Sequence, residues 1–229
     1  MPKRPFSFLP WVRDDRVTIP VVRLAGLIGM SAPFRQGLTL AAVAGALNRA
    51  FAMKRAPAVA LVINSPGGSP VQSHLIHKRI RQLSAEKEKP VVAFVEDVAA
   101  SGGYMLALAG DEIFADASSI VGSIGVVSQG FGFPRLLERV GVERRLYAAG
   151  DNKAILDPFK PENPDDVKHL KSLQSDVHAH FIELVKARRG GKLADDPTLF
   201  TGLFWAGRTA EGLGLVDALG DARGVLAER

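Results

Sequence analysis

The chain has 229 residues, of which 47% are hydrophobic, and a formal net charge of +5. This length suits one substantial domain, and the hydrophobic fraction is ordinary for a globular α/β protein. The absence of cysteine excludes a disulfide framework, a thiolate nucleophile and cysteine-based zinc sites. Because the positive charges are scattered rather than interleaved with aromatic residues, we expect no nucleic-acid partner.

The first residues read as an arm rather than as a membrane span. Residues 1–16 combine basic and aromatic side chains but contain no apolar run long enough for a signal peptide. The best later apolar stretch, between residues 17 and 33, is interrupted by Arg23 and is too short to cross a bilayer. We therefore predict a cytoplasmic or peripheral inner-membrane protein, whose N-terminal arm over residues 1–16 contacts either a membrane surface or a neighbouring subunit. Residues 17–229 are predicted to form a single domain, with a helical part from about residue 163.

Strands and helices alternate along the rest of the chain, which predicts an α/β fold with a parallel central sheet. The predicted strands are Val17–Leu24, Ala58–Ile63, Pro90–Val95, Glu112–Ala115 and Ser123–Val127. The predicted helices are Leu38–Lys54, one following Gly68, Tyr104–Ala109, Pro134–Val140 and Asn163–Arg189. The last of these has an asparagine N-cap, a proline at its first position and a glycine pair at its end, and its long apolar stripe predicts core packing together with subunit contact.

The most informative motif is Val98-Ala-Ala-Ser-Gly-Gly-Tyr104, which places Ser101 between a predicted strand and a predicted helix. A serine at such a turn projects its hydroxyl, and the following backbone N–H groups point towards whatever the hydroxyl attacks. A tight, well-packed turn without chemistry is the alternative that this motif alone leaves open.

Three further segments suit the same chemistry. Asn64-Ser-Pro-Gly-Gly68 follows a buried strand, where a glycine pair can offer N–H donors to an oxyanion. Gly122-Ser-Ile-Gly-Val126 adds a second serine flanked by glycines, and Gly150–Leu156 seats Lys153 among small and apolar residues. A lysine acts as a base when burial favours its neutral form, although a solvated loop cation is the default for any single lysine.

In these motifs and their order, and in the late Trp205–Asp217 element, the chain resembles the signal peptide peptidase A and SohB-like serine proteases, relatives of the ClpP/crotonase fold. The resemblance covers residues 17 to 219. It implies repeated β-β-α units, a peptide or protein substrate such as a signal-peptide remnant or other hydrophobic stretch, a ring-shaped homo-oligomer and no cofactor. It also implies a dyad in which Ser101 is the nucleophile and Lys153 the general base, with the two contributed by adjacent subunits, and an orienting role for Ser123. The backbone N–H groups of Gly68 and Gly102 are the predicted oxyanion donors.

The five histidines do not suit the role of base. The segment between Lys78 and Lys168, where a ClpP-like protease carries its histidine, contains none. We interpret His74 and His77 as ordinary surface residues of the helix after Gly68, and His178 and His180 as structural, so no metal site is expected.

Two other functions remain as alternatives. A crotonase-type acyl-CoA enzyme shares the fold and the glycine turns, but that chemistry usually needs a carboxylate where this chain has Ser101. A non-catalytic scaffold that binds hydrophobic peptides is the other. A P-loop nucleotide site is excluded because no Gly-x4-Gly-Lys-Ser/Thr sequence occurs.

Overall fold

The computed structural model describes residues 17–29 and 37–228, so the predicted N-terminal arm over residues 1–16 lies outside the described part. The strands there are β1 Val21–Ala25, β2 Val59–Ser65, β3 Val91–Ala100, β4 Glu112–Ala115, β5 Ile120–Gly122, β6 Phe204–Ala206 and β7 Ala218–Leu219. The helices are α1 Leu40–Ala52, α2 Pro70–Lys87, α3 Gly102–Ala107, α4 Pro134–Val140, α5 Pro164–Arg189, α6 Gly207–Gly212 and α7 Ala222–Ala227, with a 3₁₀ turn at Gly190–Lys192.

Parallel pairing of apolar strands forms the centre of the molecule. The sheet runs in the order β1-β2-β3-β4-β7, and every neighbouring pair in that order is parallel. The middle strands are apolar on both faces because both are covered, as parallel sheets require. The predicted α/β class with a parallel sheet and C-terminal helices is confirmed, and the architecture agrees with a ClpP/crotonase-like fold.

Strand β3 changes partner halfway along its length, and this change creates the site. Its first half pairs with β4, and its second half pairs with β5. The register against β2 shifts between the pairs Ile63–Val95 and Ser65–Ala99, because β3 contains two extra residues there. Such a bulge bends the strand and re-aims the residues beyond it. β3 therefore continues to Ala100, five residues beyond the predicted end.

Side-chain caps fix where the long helices begin. Thr39 accepts a hydrogen bond from the Ala42 N–H, Ser69 from the Gln72 N–H and Asn163 from the Asp165 N–H. Each cap satisfies one of the N–H groups that a helix leaves without an internal partner. The predicted N-cap of α5 is confirmed.

The core lies mainly on the sheet face covered by α1, α2, α3 and the last turns of α5. A smaller cluster on the other face packs Phe94 and Phe114 against α7. Only the C-terminal part of α5 joins the core, through Phe181 and Val185, whereas Leu173 in the predicted stripe is 49% exposed.

Residues 125–162, here called the arm segment, lie outside the core, because none of them is buried. The predicted helix at Pro134–Val140 is confirmed as α4, within this segment. The predicted strand over Ser123–Val127 is wrong, because β5 spans Ile120–Gly122 and ends before Ser123. In the part of the chain that the structure describes, no helix has the length and apolar character needed to cross a bilayer.

Candidate active site

Ser101 lies at the junction of β3 and α3 in a backbone conformation that side chains rarely adopt. Its φ is 53° and its ψ is −124°. Three hydrogen bonds impose this conformation: the Ser101 N–H donates to the Gly122 carbonyl over 2.8 Å, and its own carbonyl accepts from Tyr104 and Met105. Strain of this kind persists only where the surroundings over-determine it, and it is concentrated at functional sites.

The side chain of Ser101 is left free by this arrangement. It is partly exposed, and no hydrogen bond between described residues uses its hydroxyl. The turn behind it is tightly packed, because a Cβ on Gly102 would overlap the Ser73 hydroxyl and a Cβ on Gly103 would overlap the Ser65 carbonyl oxygen. Glycine is therefore required at both positions, because neighbouring atoms approach the backbone too closely to leave room for a side chain.

The glycine turn after β2 lies directly against Ser101. A Cβ on Gly67 would come within 2.8 Å of both the Ser101 Cβ and the Gly102 nitrogen. Gly67 and Gly68 have φ values of 104° and 141°, which favour glycine. The turn is held by Ile28, whose N–H donates to the Gly67 carbonyl and whose carbonyl accepts from the Ser69 N–H, both over 2.9 Å.

Two backbone N–H groups at this junction remain available. Neither the Gly68 N–H nor the Gly102 N–H donates a hydrogen bond to any other described residue. The Gly102 N–H is free because it belongs to the first turn of α3, and the Gly68 N–H is free because the bridge to Ile28 uses the residues on either side of it. Free donors beside a free hydroxyl are what stabilisation of an oxyanion needs.

Ser123 lies beside Ser101 through the pairing of β5 with β3. Ala100 faces Gly122 in that register, so the serines come directly after neighbouring, hydrogen-bonded positions. Ser123 has a φ of 54°, and its N–H donates to the Leu203 carbonyl over 2.7 Å. The structure thus brings together Ser101, Ser123, Gly68 and Gly102, four of the five predicted site residues.

Lys153 lies elsewhere, on the arm segment. It is exposed, in a series of turns over residues 151–156, and its N–H donates to the Gly150 carbonyl. No hydrogen bond between described residues joins Lys153 to Ser101 or Ser123. Of the predicted apolar neighbours, Leu156 is itself 41% exposed. Within residues 17–29 and 37–228, the expected desolvated setting for Lys153 is thus not formed.

The histidines contribute more to this region than the sequence indicated. The Nε2 atom of His178, on α5, lies 3.0 Å from the Ile124 carbonyl oxygen and so anchors the segment after Ser123. The interpretation of His77 as a surface residue is wrong, because only 6% of it is exposed. Helical spacing alone did not reveal this burial, because it depends on the elements that pack against α2, among them α3, whose C-cap Leu108 lies beside His77.

Burial is the main reason that the pKa of His77 is lowered to about 4, and the positive charges of Arg188, His74 and Arg81 act in the same direction. A hydrogen bond with the Leu108 backbone opposes this shift. His77 is therefore neutral at pH 7. It is buried, and no hydrogen bond between described residues joins it to Ser101.

An open cleft of about 1070 Å³ lies away from Ser101, between the arm segment and the start of α5. It is lined by residues 128–135, 151–152, 154–158 and 160–163, together with Asp166 and Leu170. The cleft is formed by the loosely packed arm segment itself and contains none of the four residues grouped at the β3–α3 junction. We therefore assign no substrate to it.

Comparison with known proteins agrees with this geometry. Residues 84–229 match Peptidase family S49. A putative protease of Synechocystis sp. is 38% identical over 173 residues, which are 74% of this chain and 62% of that protein. The putative signal peptide peptidase SppA of Enterococcus faecium is 30% identical over 167 residues, 73% of this chain and 48% of that protein.

A more similar relative carries a different name. The Brucella abortus protein called Na(+)/H(+) antiporter NhaA is 64% identical over 217 residues, which are 93% of this chain. They are only 29% of that protein, so the chain spans less than a third of its length. The family match covers more than half of the chain and includes Ser101, Ser123 and Lys153. The chain belongs to peptidase family S49.

Proposed function

We propose that this chain is a serine endopeptidase that cleaves hydrophobic peptides, such as signal-peptide remnants or segments of membrane-associated polypeptides. One observation carries the proposal: Ser101 has a free hydroxyl on a strained strand-to-helix turn, beside two backbone N–H groups that no described residue uses. Membership of peptidase family S49 supports it.

In the proposed reaction, the Ser101 Oγ attacks the carbonyl carbon of the scissile peptide bond. The Gly68 and Gly102 N–H groups stabilise the negative charge on the carbonyl oxygen. Lys153 takes the hydroxyl proton and returns it to the leaving amine as the C–N bond breaks. A water molecule, deprotonated by the same amine, then attacks the acyl carbon; the ester bond to the Ser101 Oγ breaks, and the lysine returns the proton to that oxygen. Ser123 holds the lysine amine in position through its hydroxyl.

The exposure of Lys153 in one chain requires a further part of the proposal. A lysine serves as a base only when neutral, and burial is the main factor that favours the neutral form. Among the described residues, the arm segment that carries Lys153 exposes large apolar side chains: Val127 is 83% exposed, Phe131 82% and Tyr147 90%. We infer that a neighbouring subunit of the same ring covers this segment and completes a site whose Ser101 and Lys153 come from different chains.

A matched set of variants tests the dyad. The substrate is a fluorogenic peptide with small apolar residues, and the variants are Ser101→Ala, Lys153→Ala and the control Lys160→Ala, an exposed lysine of the same segment. We expect both dyad variants to lose activity by about 10³-fold or more, with Lys160→Ala unchanged. Full activity of Lys153→Ala would show that the base is elsewhere. An inert wild type, even with detergent and longer hydrophobic peptides, would favour a peptide-binding scaffold instead.

Mixing inactive variants tests whether the site is shared. If Ser101 and Lys153 act within different chains, co-assembled Ser101→Ala and Lys153→Ala subunits regain activity, because some interfaces then carry both intact residues. If the dyad forms within one chain, the mixture stays inactive while each variant still assembles. Size-exclusion chromatography with light scattering verifies assembly in both cases.

A further inference from the structure

Two histidines meet where helices α2 and α5 pack together. The Nδ1 atom of His74 lies 3.2 Å from the Nε2 atom of His180. Their ring centroids are 4.8 Å apart and the ring planes are inclined by 63°. His74 is partly exposed and His180 is exposed, so the pair is open to solvent. Nothing in the proposed peptidase mechanism uses either residue.

The placement of the rings suits two ligands of one ion. Two imidazole nitrogens bound to one tetrahedral zinc at about 2.05 Å lie roughly 3.3 Å apart, with ring centroids about 5 Å apart. A straight N–H···N hydrogen bond of the observed length would separate the centroids by about 5.5 Å. The observed 4.8 Å is close to the separation of two rings that share an ion, and it is also reached by a bent hydrogen bond, which the pair forms in the absence of metal.

We propose that His74 and His180 bind one borderline divalent transition-metal ion, such as Zn²⁺, between α2 and α5. Such ions bind imidazole well, whereas the hard cations Mg²⁺ and Ca²⁺ prefer oxygen ligands. Within residues 17–29 and 37–228 no cluster of three histidine or acidic side chains could hold a metal. Water therefore completes the coordination sphere, and the site is an accessible, exchangeable one.

The position of this site connects it with both sides of the Ser101 turn. α2 begins immediately after Gly68, with Ser69 as its cap. α5 carries His178 two residues before His180, and His178 contacts the Ile124 carbonyl. An ion held by His74 and His180 would link the helix behind the glycine turn to the helix that anchors the segment after Ser123. The metal proposal does not depend on the peptidase proposal, because it concerns binding alone.

The test is titration of chelator-treated protein with Zn²⁺ by calorimetry, with Mg²⁺ as the comparison ion. The variants are His74→Ala and His180→Ala, and the control is His169→Ala, an exposed histidine on the same helix α5. We expect one Zn²⁺ site per chain in the wild type and in the control. In both pair variants the Zn²⁺ affinity should fall roughly 100-fold, because losing a direct ligand costs at least as much as losing an outer-shell partner. Mg²⁺ gives no comparable binding.

Thermal unfolding provides a second readout that separates this site from others. Zn²⁺ bound across two helices of the folded state raises the Tm of the wild type and of His169→Ala. The rise is lost in His74→Ala and in His180→Ala, whose circular dichroism without metal shows that they are folded. Equal Zn²⁺ affinity in all four proteins, or no saturable binding by the wild type, overturns the proposal.

Discussion

The two halves of the proposed dyad lie in regions built in opposite ways. Ser101 is held by backbone hydrogen bonds with β5 and α3, and the glycines packed at this turn, Gly67 and Gly102, have no space for a Cβ. Lys153 belongs to the arm segment, in which no residue is buried. The proposed nucleophile is thus positioned by the chain's own core, whereas the proposed base lies on an exposed segment outside that core.

The largest difference in stability between variants of the core and of the arm segment should come from breaking an ion pair in each region. Asp217 accepts hydrogen bonds from Arg189 over 2.8 Å and from Lys192 over 2.5 Å, and the Arg189 side chain is only 3% exposed. Asp217→Asn leaves a buried guanidinium without its counter-charge, so we expect a loss of about 3 to 5 kcal/mol in the free energy of unfolding. Urea denaturation measures it.

The arm segment supplies the control for this variant. Glu143 pairs with Arg145, and both side chains are mostly exposed, at 73% and 68%. Glu143→Gln should leave the urea midpoint unchanged because solvent screens the pair. A comparable loss in Glu143→Gln would contradict the contrast between core and arm segment.

Acid should destabilise the core through His77. Its pKa in the folded protein is about 4, against an ordinary value of 6.5, so the unfolded chain takes up a proton first as the pH falls. Stability is therefore complete above pH 6.5 and is lost between pH 6.5 and 4, by about 3 kcal/mol at most.

His77→Gln, which cannot titrate, should flatten this part of the pH–stability curve. Denaturation midpoints from pH 7 to pH 4 in the presence of a chelator measure the difference. His169→Gln, on the exposed side of α5, is the control and should keep the wild-type slope. If His77→Gln and wild type have the same slope, another group is responsible.

The smallest effect concerns the glycines. An added methyl group in Gly103→Ala must displace the Ser65 carbonyl, at a cost of about 2 kcal/mol. Gly130→Ala in the arm segment meets nothing within 4 Å and should change stability little. Thermal denaturation of the two variants compares the regions directly. Similar Tm values would mean that the turn at Ser101 is less tightly packed than its geometry indicates.

Sequence reasoning predicted features with local signals more reliably than features that depend on contacts between distant residues. Apolar strands, caps and glycine turns are local signals, so β2, β4, α4 and α5 were predicted close to their observed bounds. The extension of β3 to Ala100 was missed because it depends on a bulge against β2. The strand predicted at Ser123 was placed too late because Ser123 bonds to Leu203, far along the chain. Burial of His77 was missed because it too depends on contacts with residues far along the chain.

The sequence by itself determined the α/β class, the family resemblance and the turn that carries Ser101, because strand length, capping residues and glycine pairs act over a few neighbouring positions. Only the tertiary structure decided which of the predicted residues meet. Pairing of β5 with β3 brings Ser123 to Ser101, and the Gly67–Gly68 turn packs against the same serine, while Lys153 remains outside, on the arm segment. Contacts between distant residues depend on register and helix packing, which no local pattern encodes.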